Sequence, residues 1–290
     1  MDRSQFHADR LTGIGGSDAA AALGLSPYRS QLELYMEKRG ELPPFEGNEA
    51  TLWGTLLEPV VRNEYARRTG REVTVPPLMR HPKHGFVIAH ADGLTTDGRA
   101  YEGKTARTAD GWGEPGTDQV PQAYLIQCQH VMLVTATPVT DLAVLIGGQD
   151  FRTYEIPADR ELQQMILDGE ADFWSRVQEG RAPDPNFNGD SDRELIKRLY
   201  PGTNGEILQA TEQHMAWRTA LEEAQELSGH YANLAAGAKS HLLWQMKEAA
   251  ALVFPDGKAL RRKVVTKKPY TVEAQTYIDG RFVNHKESKE

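Results

Sequence analysis

The chain has 290 residues, 39% hydrophobic and 26% charged, a globular profile rather than a disordered or fibrous one. Its formal charge of −8 argues against a generic nucleic-acid coat, though not against a DNA enzyme with a local basic path. The single cysteine, Cys128, excludes a disulfide framework and a four-cysteine zinc or iron–sulfur site within one chain, and fits a reducing compartment.

Residues 1–11 are polar and charged, so no secretory signal is expected, and no apolar run approaches bilayer length. A glycine-rich turn, Gly13-Ile14-Gly15-Gly16, leads into a small-residue helix from about Ser17. Ser26 as N-cap and Pro27 in the first turn predict a helix that stops at Gly40. A further helix is predicted over 48–69, ending at Gly70 and kinked by Pro59. The period then turns to that of strands over 73–79, 86–92 and 99–105, with Thr96-Asp97-Gly98 as the hairpin turn between the last two. Helix returns over 121–135, strands follow over 141–146 and 151–156, and a helix over 159–178. The first 180 residues therefore read as mixed α/β around a small sheet. Turn residues over 183–192 make a linker. Beyond it, Trp217, Leu221, Ala224, Ser228, Tyr231, Ala235, Ala238, Leu242 and Ala249 form a heptad-like stripe. That predicts one long helix, or a hairpin broken near Gly229 or Gly237. Pro255-Asp256-Gly257 should end it, with a basic strand pair following at 260–265 and 270–277. Residues 255–290 carry +4, leaving −12 for the rest, so the tail is a separate electrostatic unit.

The chemistry concentrates in Ala91-Asp92-Gly93 and Tyr101-Glu102-Gly103-Lys104. Residues two apart on a strand share a face, so Glu102 and Lys104 project together, and a hairpin brings Asp92 beside them. Two carboxylates and a lysine at a sheet edge suit Mg²⁺, which keeps waters for chemistry. Alone, an E-x-K on a strand is usually a solvated face. Glu58, in Trp53-Gly54-Thr55-Leu56-Leu57-Glu58, is either a surface glutamate or a third carboxylate leaning over the sheet. Gln127 shares a helix face with Tyr124 and Val131, as a satisfied core amide or a site residue. The turn at Gly13-Ile14-Gly15-Gly16-Ser17-Asp18 matches neither a dinucleotide fingerprint nor a P-loop. It is a phosphate cradle, with Ser17 and Arg10 as partners, or Ser17 is only an N-cap. His81, His84, His90 and His130 make no zinc pattern, and Cys128 reads as a structural thiol.

Taken in order, Arg10-Leu-Thr-Gly-Ile-Gly-Gly-Ser17-Asp18, Leu25-Ser-Pro-Tyr28, Trp53-Gly-Thr-Leu-Leu-Glu58, Ala91-Asp92-Gly93, Glu102-Gly-Lys104 and Tyr124-Leu-Ile-Gln127-Cys-Gln129-His130 resemble the YqaJ-like viral recombinase family, which includes the phage lambda exonuclease. The resemblance runs from about Arg10 to Gln178, with Ala91 where the family name has proline. It implies an α/β PD-(D/E)xK nuclease core over 1–185, a mixed central sheet flanked by helices. Residues 186–290 are then a mainly helical C-terminal extension ending in a basic strand pair.

The resemblance further implies a Mg²⁺-dependent 5′→3′ exonuclease on linear double-stranded DNA that leaves 3′ overhangs for a single-strand annealing protein. Asp92, Glu102, the Gly103 carbonyl and Glu58 would be metal ligands, for up to two ions per site with Mn²⁺ as substitute. Lys104 would activate water, Gln127 would orient it or the lysine, and Arg10 and Ser17 would hold the 5′-phosphate. A ring trimer around DNA, in the cytoplasm of a phage or prophage host and without a membrane, is the implied setting. Two other readings stay open: an endonuclease on the same fold, and a non-catalytic DNA-end-binding protein. For the extension, the stripe reads as a self-association or partner surface or as an intramolecular hairpin. Lys258, Arg261, Arg262, Lys263, Lys267 and Lys268 read as DNA-phosphate contacts or as a solvated strand.

Overall fold

The computed structural model describes residues 8–42, 47–187 and 189–266. Two compact units comprise residues 1–199 and 200–290.

In the first unit, α1 (Gly16–Ala22), α2 (Gln31–Lys38) and α3 (Glu49–Thr69) come before the main sheet. α2 starts later than its sequence suggests. Ser30, not Ser26, caps it by accepting from the Glu33 amide, while Ser26 accepts from the amides of Tyr28 and Arg29 in the preceding turn. A side-chain acceptor placed four residues later out-competes the Ser-Pro signal. α3 is capped by Asn48, runs through Pro59 and ends on left-handed Gly70.

Strands β1 (Val73–Thr74), β2 (Met79–Arg80), β3 (Ile88–Ala89), β4 (Gly93–Thr95), β5 (Ala100–Ala106), β6 (Val139–Ile146) and β7 (Asp150–Pro157) follow. The main sheet runs β1-β4-β5-β6-β7, with β5 and β6 parallel and the other pairs antiparallel. The expected strands 73–79 and 86–92 are each shortened. Residues 73–74 join the main sheet, whereas β2 and β3 pair separately. The hairpin partner of β5 is thus the short β4, and Asp92 stands just before its first residue.

α4 (Gln122–Thr135) connects β5 to β6, and α5 (Arg160–Glu179), capped by Asp159, follows β7. β6 is buried on both faces over residues 140–144, as expected when helices cover each side, whereas β5 turns Glu102 and Lys104 toward α4. On one face Tyr101 and Ala143 meet Val61 and Tyr65 of α3. On the other, Leu142, Val144, Tyr154 and Ile156 meet Cys128 and Met132 of α4. Strand alternation therefore sends Tyr101 toward α3 and Glu102 toward α4. Gly13 lets the first segment lie along Phe86, where a Cβ would come 2.2 Å from the carbonyl oxygen. Ile14 exchanges backbone hydrogen bonds there with Phe86 and Ile88, at 2.6 and 2.9 Å. α6 (Asp190–Leu199) begins inside the predicted linker and packs with the first unit, where Arg198 pairs with Glu33 of α2.

In the second unit, α7 (Glu212–Met246) is one continuous helix of 35 residues, without a break at Gly229 or Gly237, so its stripe does not fold back as a hairpin. β8 (Ala251–Val253) and β9 (Ala259–Arg261) form a small antiparallel hairpin. Pro255-Asp256-Gly257 makes that hairpin's turn rather than the helix stop. The strand expected over 270–277 lies outside the described residues.

A buried ion pair ties three elements together. His130 Nδ1 lies 2.6 Å from Glu170 on α5, and Nε2 lies 2.8 Å from the Ile88 carbonyl oxygen. A carbonyl only accepts, so both ring nitrogens are best served as donors. Burial alone would lower the imidazole pKa, but the Glu170 carboxylate outweighs it and the pKa is raised. A raised pKa in the folded state gives stability that is present below the unfolded value of about 6.5 and lost as pH rises through the folded one. Glu170→Gln should cost about 3–5 kcal/mol at pH 6 in urea denaturation. The gap to wild type should narrow toward pH 9, and a pH-independent gap would contradict the charged pair.

Candidate active site

β5 and α4 carry the centre of the site. Asp92, entering β4, accepts from the Gly103 amide at 3.0 Å, which fixes its carboxylate against the β5 edge. Glu102 is buried, and one oxygen, Oε1, accepts from both Lys104 Nζ at 2.6 Å and Gln127 Nε2 at 2.5 Å. Gln127 is therefore a partner of the glutamate rather than a solitary core amide. Lys104 Nζ also lies 5.3 Å from the centre of the Tyr124 ring, in cation–π range.

The electrostatics of the pair are unfavourable as they stand. Burial first, then the Asp92 carboxylate, pushes the Glu102 pKa up to about 8 against the opposing pull of Lys104. Burial would lower Lys104, yet Glu102 and Asp92 hold its ammonium above the ordinary lysine range. Burial and the Asp92 charge also raise Glu58, although Arg62 on the next turn of α3 pairs with it at 3.3 Å. Two crowded carboxylates and one cation leave an excess of negative charge, which a divalent cation would relieve. Among the described residues, no group of three or more acidic, histidine or cysteine side chains is arranged to hold a metal. The fit therefore rests on Asp92 and Glu102, with Glu58 in electrostatic reach and water or phosphate oxygens completing the shell. Mg²⁺ accepts such partial protein cages.

The glycine-rich turn lies beside this centre. A Cβ on Gly16 would come 3.3 Å from Gln127 Cγ and 3.1 Å from Val131, so a larger residue there would press α1 and α4 apart by a few tenths of an ångström. Gly15 is the N-cap, and Ser17 sits in the first turn of α1 instead of capping it. Arg10 Nη1 donates to Ser17 Oγ at 3.0 Å, and its Nη2 reaches Asp18 and Glu37. Asp18 is fully buried and is also held by Arg29 at 3.0 Å and Lys38 at 2.6 Å. Burial would raise its pKa, but Lys38, Arg10 and Arg29 together hold the carboxyl far below the usual range. Arg29, Glu37 and Lys38 were not singled out from sequence. Their only signal was their place in the chain after Leu25-Ser-Pro-Tyr28, because three-dimensional convergence on Asp18 leaves no periodic trace.

A cavity of about 710 Å³ adjoins the site, lined among others by Tyr28, Arg29, Thr105, Arg107, Trp112 and Tyr124. The hydroxyls of Tyr28 and Tyr124 are 3.2 Å apart, and Trp112 packs on Tyr124 at 5.5 Å between ring centres. Trp53, on the helix that bears Glu58, is half exposed, whereas Val61 is buried. Cys128 is buried beneath the site with its thiol pKa pushed up by burial, which suits a packing role.

A carboxylate whose pKa is raised on folding binds its proton more tightly in the folded state. The metal-free protein should then lose stability between about pH 5 and pH 8. Asp92→Asn should flatten that loss and raise the metal-free melting midpoint at pH 8, by about 2–4 °C per kcal/mol relieved. Scanning calorimetry across that range tests this, and an unchanged pH slope in Asp92→Asn would contradict the crowded pair.

The YqaJ-like viral recombinase domain matches residues 5–138. An uncharacterized protein of Bacillus subtilis (strain 168), YqaJ, is 33% identical over 216 residues, which span 73% of this chain and 68% of that protein. Protein D345L of African swine fever virus (strain Badajoz 1971 Vero-adapted) is 41% identical over 58 residues, 20% of this chain and 17% of that protein. Among solved structures, the alkaline exonuclease LHK-Exo of Laribacter hongkongensis superposes with a TM-score of 0.50 at 22% identity, covering 68% of this chain and 100% of that one. The fold is accordingly one it shares with the Laribacter structure, a mixed sheet flanked by helices. By the extent of its match to the Bacillus protein, the chain belongs to the YqaJ-like viral recombinase family.

Proposed function

We propose that the protein is a divalent-cation-dependent exonuclease that degrades linear double-stranded DNA 5′→3′ and leaves 3′ single strands for an annealing protein. The observation that carries this reading is the convergence of Asp92, Glu102, Lys104 and Gln127 at one end of β5, beside the Arg10–Ser17 turn. Asp92 and Glu102 would hold Mg²⁺ or Mn²⁺, with the Gly103 carbonyl and Glu58 as further ligands. A cation bound there supplies Lewis-acid polarisation of the scissile phosphate and lowers the pKa of a bound water.

The chain's own residues divide the remaining work. Gln127 and Lys104 both donate to Glu102 Oε1, so they fix its orientation. With its ammonium stabilised, Lys104 presents N–H donors to the attacking water or to a phosphate oxygen, and stabilises charge that builds as the P–O bond breaks. The Arg10 guanidinium is set in place by Asp18 and Glu37 and offers charge-assisted hydrogen bonds to a terminal phosphate, with Ser17 beside it. Such a pocket makes cutting depend on a 5′ end. In the second unit, Lys258, Arg261, Arg262 and Lys263 cluster on and after the β8–β9 hairpin as contacts to DNA phosphate. Lys267 and Lys268, assigned the same role, lie outside the described residues. An annealing partner and a bacterial cytoplasmic setting complete the proposal. Among the described residues, no helix is long and apolar enough to cross a membrane.

Incubating one plasmid, circular or linearised, with 5′-phosphate or 5′-hydroxyl ends, tests the reading. Mg²⁺-dependent loss of the linear form alone, faster with 5′-phosphate, is expected. Cutting of the circle would instead make the protein an endonuclease. Lys104→Ala and Glu102→Ala should bind linear DNA normally and lose hydrolysis by at least about 100-fold. Normal digestion by both would contradict the site. Replacing Arg261, Arg262 and Lys263 with alanine should reduce the slope of log affinity against log salt by about 2–3. An unchanged slope would remove the hairpin from the DNA path.

A further inference from the structure

The second unit contains an element that its own fold does not explain. Every residue of α7 from Glu212 to His241 is exposed, although the helix carries Trp217, Leu221, Leu227, Tyr231 and Leu234. In proteins, most of a helix's stability comes from packing an apolar face, and the face here is bare. Its spacing says what kind of face it is. Trp217, Ala224, Tyr231 and Ala238 recur every seven residues, and Ala220, Leu227, Leu234 and His241 fall three residues after each. A sustained 3.5-residue repeat is the pattern by which one helix seats the knobs of another.

We propose that α7 is a homotypic interface that pairs antiparallel with α7 of a second copy of this chain, centred near Gly229. Side-chain size favours this order. In a parallel pair, each layer sets like against like: Trp217 on Trp217, Ala224 on Ala224, Tyr231 on Tyr231. The layers at Ala220 and Ala224 would then be empty between a wide one at Trp217 and wide ones from Leu227 to Leu234. In the antiparallel pair, Ala224 faces Leu234, Leu227 faces Tyr231, Ala220 faces Ala238 and Trp217 faces His241. No layer then stacks Trp on Trp or Tyr on Tyr, and the four layers about the axis each hold a leucine, which suits close packing. Charge favours it too. Glu222, Glu223 and Glu226 crowd the first half of α7, whereas Lys239 lies in the second. Reversal brings Lys239 within a turn of Glu222 and Glu223 of the other copy and keeps the acidic clusters apart. This inference does not rest on the nuclease reading, because none of the residues it uses belongs to the first unit.

The native chain suits a cysteine test, because its one thiol, Cys128, is fully buried. Ser228 lies next to the proposed two-fold axis, on the edge of the stripe, so Ser228→Cys should form a disulfide-linked dimer of the full chain under mild oxidation. Ala235 occupies the equivalent position one heptad on. At 1.5 Å rise per residue, two copies of Ala235 would lie about 18 Å apart along the antiparallel pair. Ala235→Cys should therefore stay uncrosslinked. Dimers from both variants would mean a parallel pair and overturn the proposal. No dimer from Ser228→Cys, with helicity unchanged by circular dichroism, would overturn it in favour of another occupant, such as residues 267–290 of the same chain or an unlike partner. As a control, Leu227→Glu in the Ser228→Cys background should reduce crosslinking at least tenfold. Undiminished crosslinking would show collision rather than a packed interface.

Discussion

The molecule is organised around two acidic groups that repel each other, Glu102 buried and Asp92 half-buried beside it. Asp92 and Glu102 sit where β4 and β5 meet, one pinned by the Gly103 amide and the other by Lys104 and Gln127. Leaving Glu102 charged there costs enough that its pKa moves to about 8. A fold retains such a cost when something outside the chain repays it, and a divalent cation has the charge and ligand preference to do so. Much of the neighbouring architecture serves this pair. The parallel β5–β6 pairing buries β5 in mid-sheet, α4 is aimed so that Gln127 reaches Glu102, and Gly16 lets α1 bring Ser17 and Arg10 alongside.

The second charged cluster obeys the opposite logic. Asp18 is fully buried but is met by three cations, so its negative charge is fully compensated and its proton is lost easily. Glu37 braces both Arg10 and Arg29. Such a network holds long arginine side chains in place, which reduces the entropy lost when they meet a phosphate. One cluster is short of positive charge and the other is rich in arginine. The pairing suits a substrate that brings a metal-bound phosphate to one and a terminal phosphate to the other.

Local rules recovered what was local. The α4, β5, β6, β7 and α5 segments, and the Asp92–Glu102–Lys104 grouping, follow from strand alternation and helix spacing, because short-range periodicity is all they need. The Ser26-Pro27 start failed because Ser30 offers a competing cap that only the folded turn reveals. The strands at 73–79 and 86–92 were too long because the chain leaves the main sheet after Thr74 and rejoins it at Gly93, a tertiary choice without a sequence period. Gln127 was visible as a polar interruption on an apolar helix face, but its bond to Glu102 was not. Arg29, Glu37 and Lys38 were hidden altogether, because convergence of distant charges has no spacing. In α7, the glycines suggested a break that a 35-residue helix does not make. Each costs only about 1 kcal/mol in a helix interior.

The central claim is that Asp92, half-buried, and Glu102, buried, form a cation site on which catalysis depends. Direct titration of Mn²⁺ into the metal-free protein, followed by electron paramagnetic resonance of the free ion, tests it without DNA and without turnover. The account predicts saturable binding by wild type, together with loss of that binding in Glu102→Gln, whose side chain keeps its shape but lacks the charge. Equal Mn²⁺ binding by the two proteins would contradict the account and place the cation elsewhere.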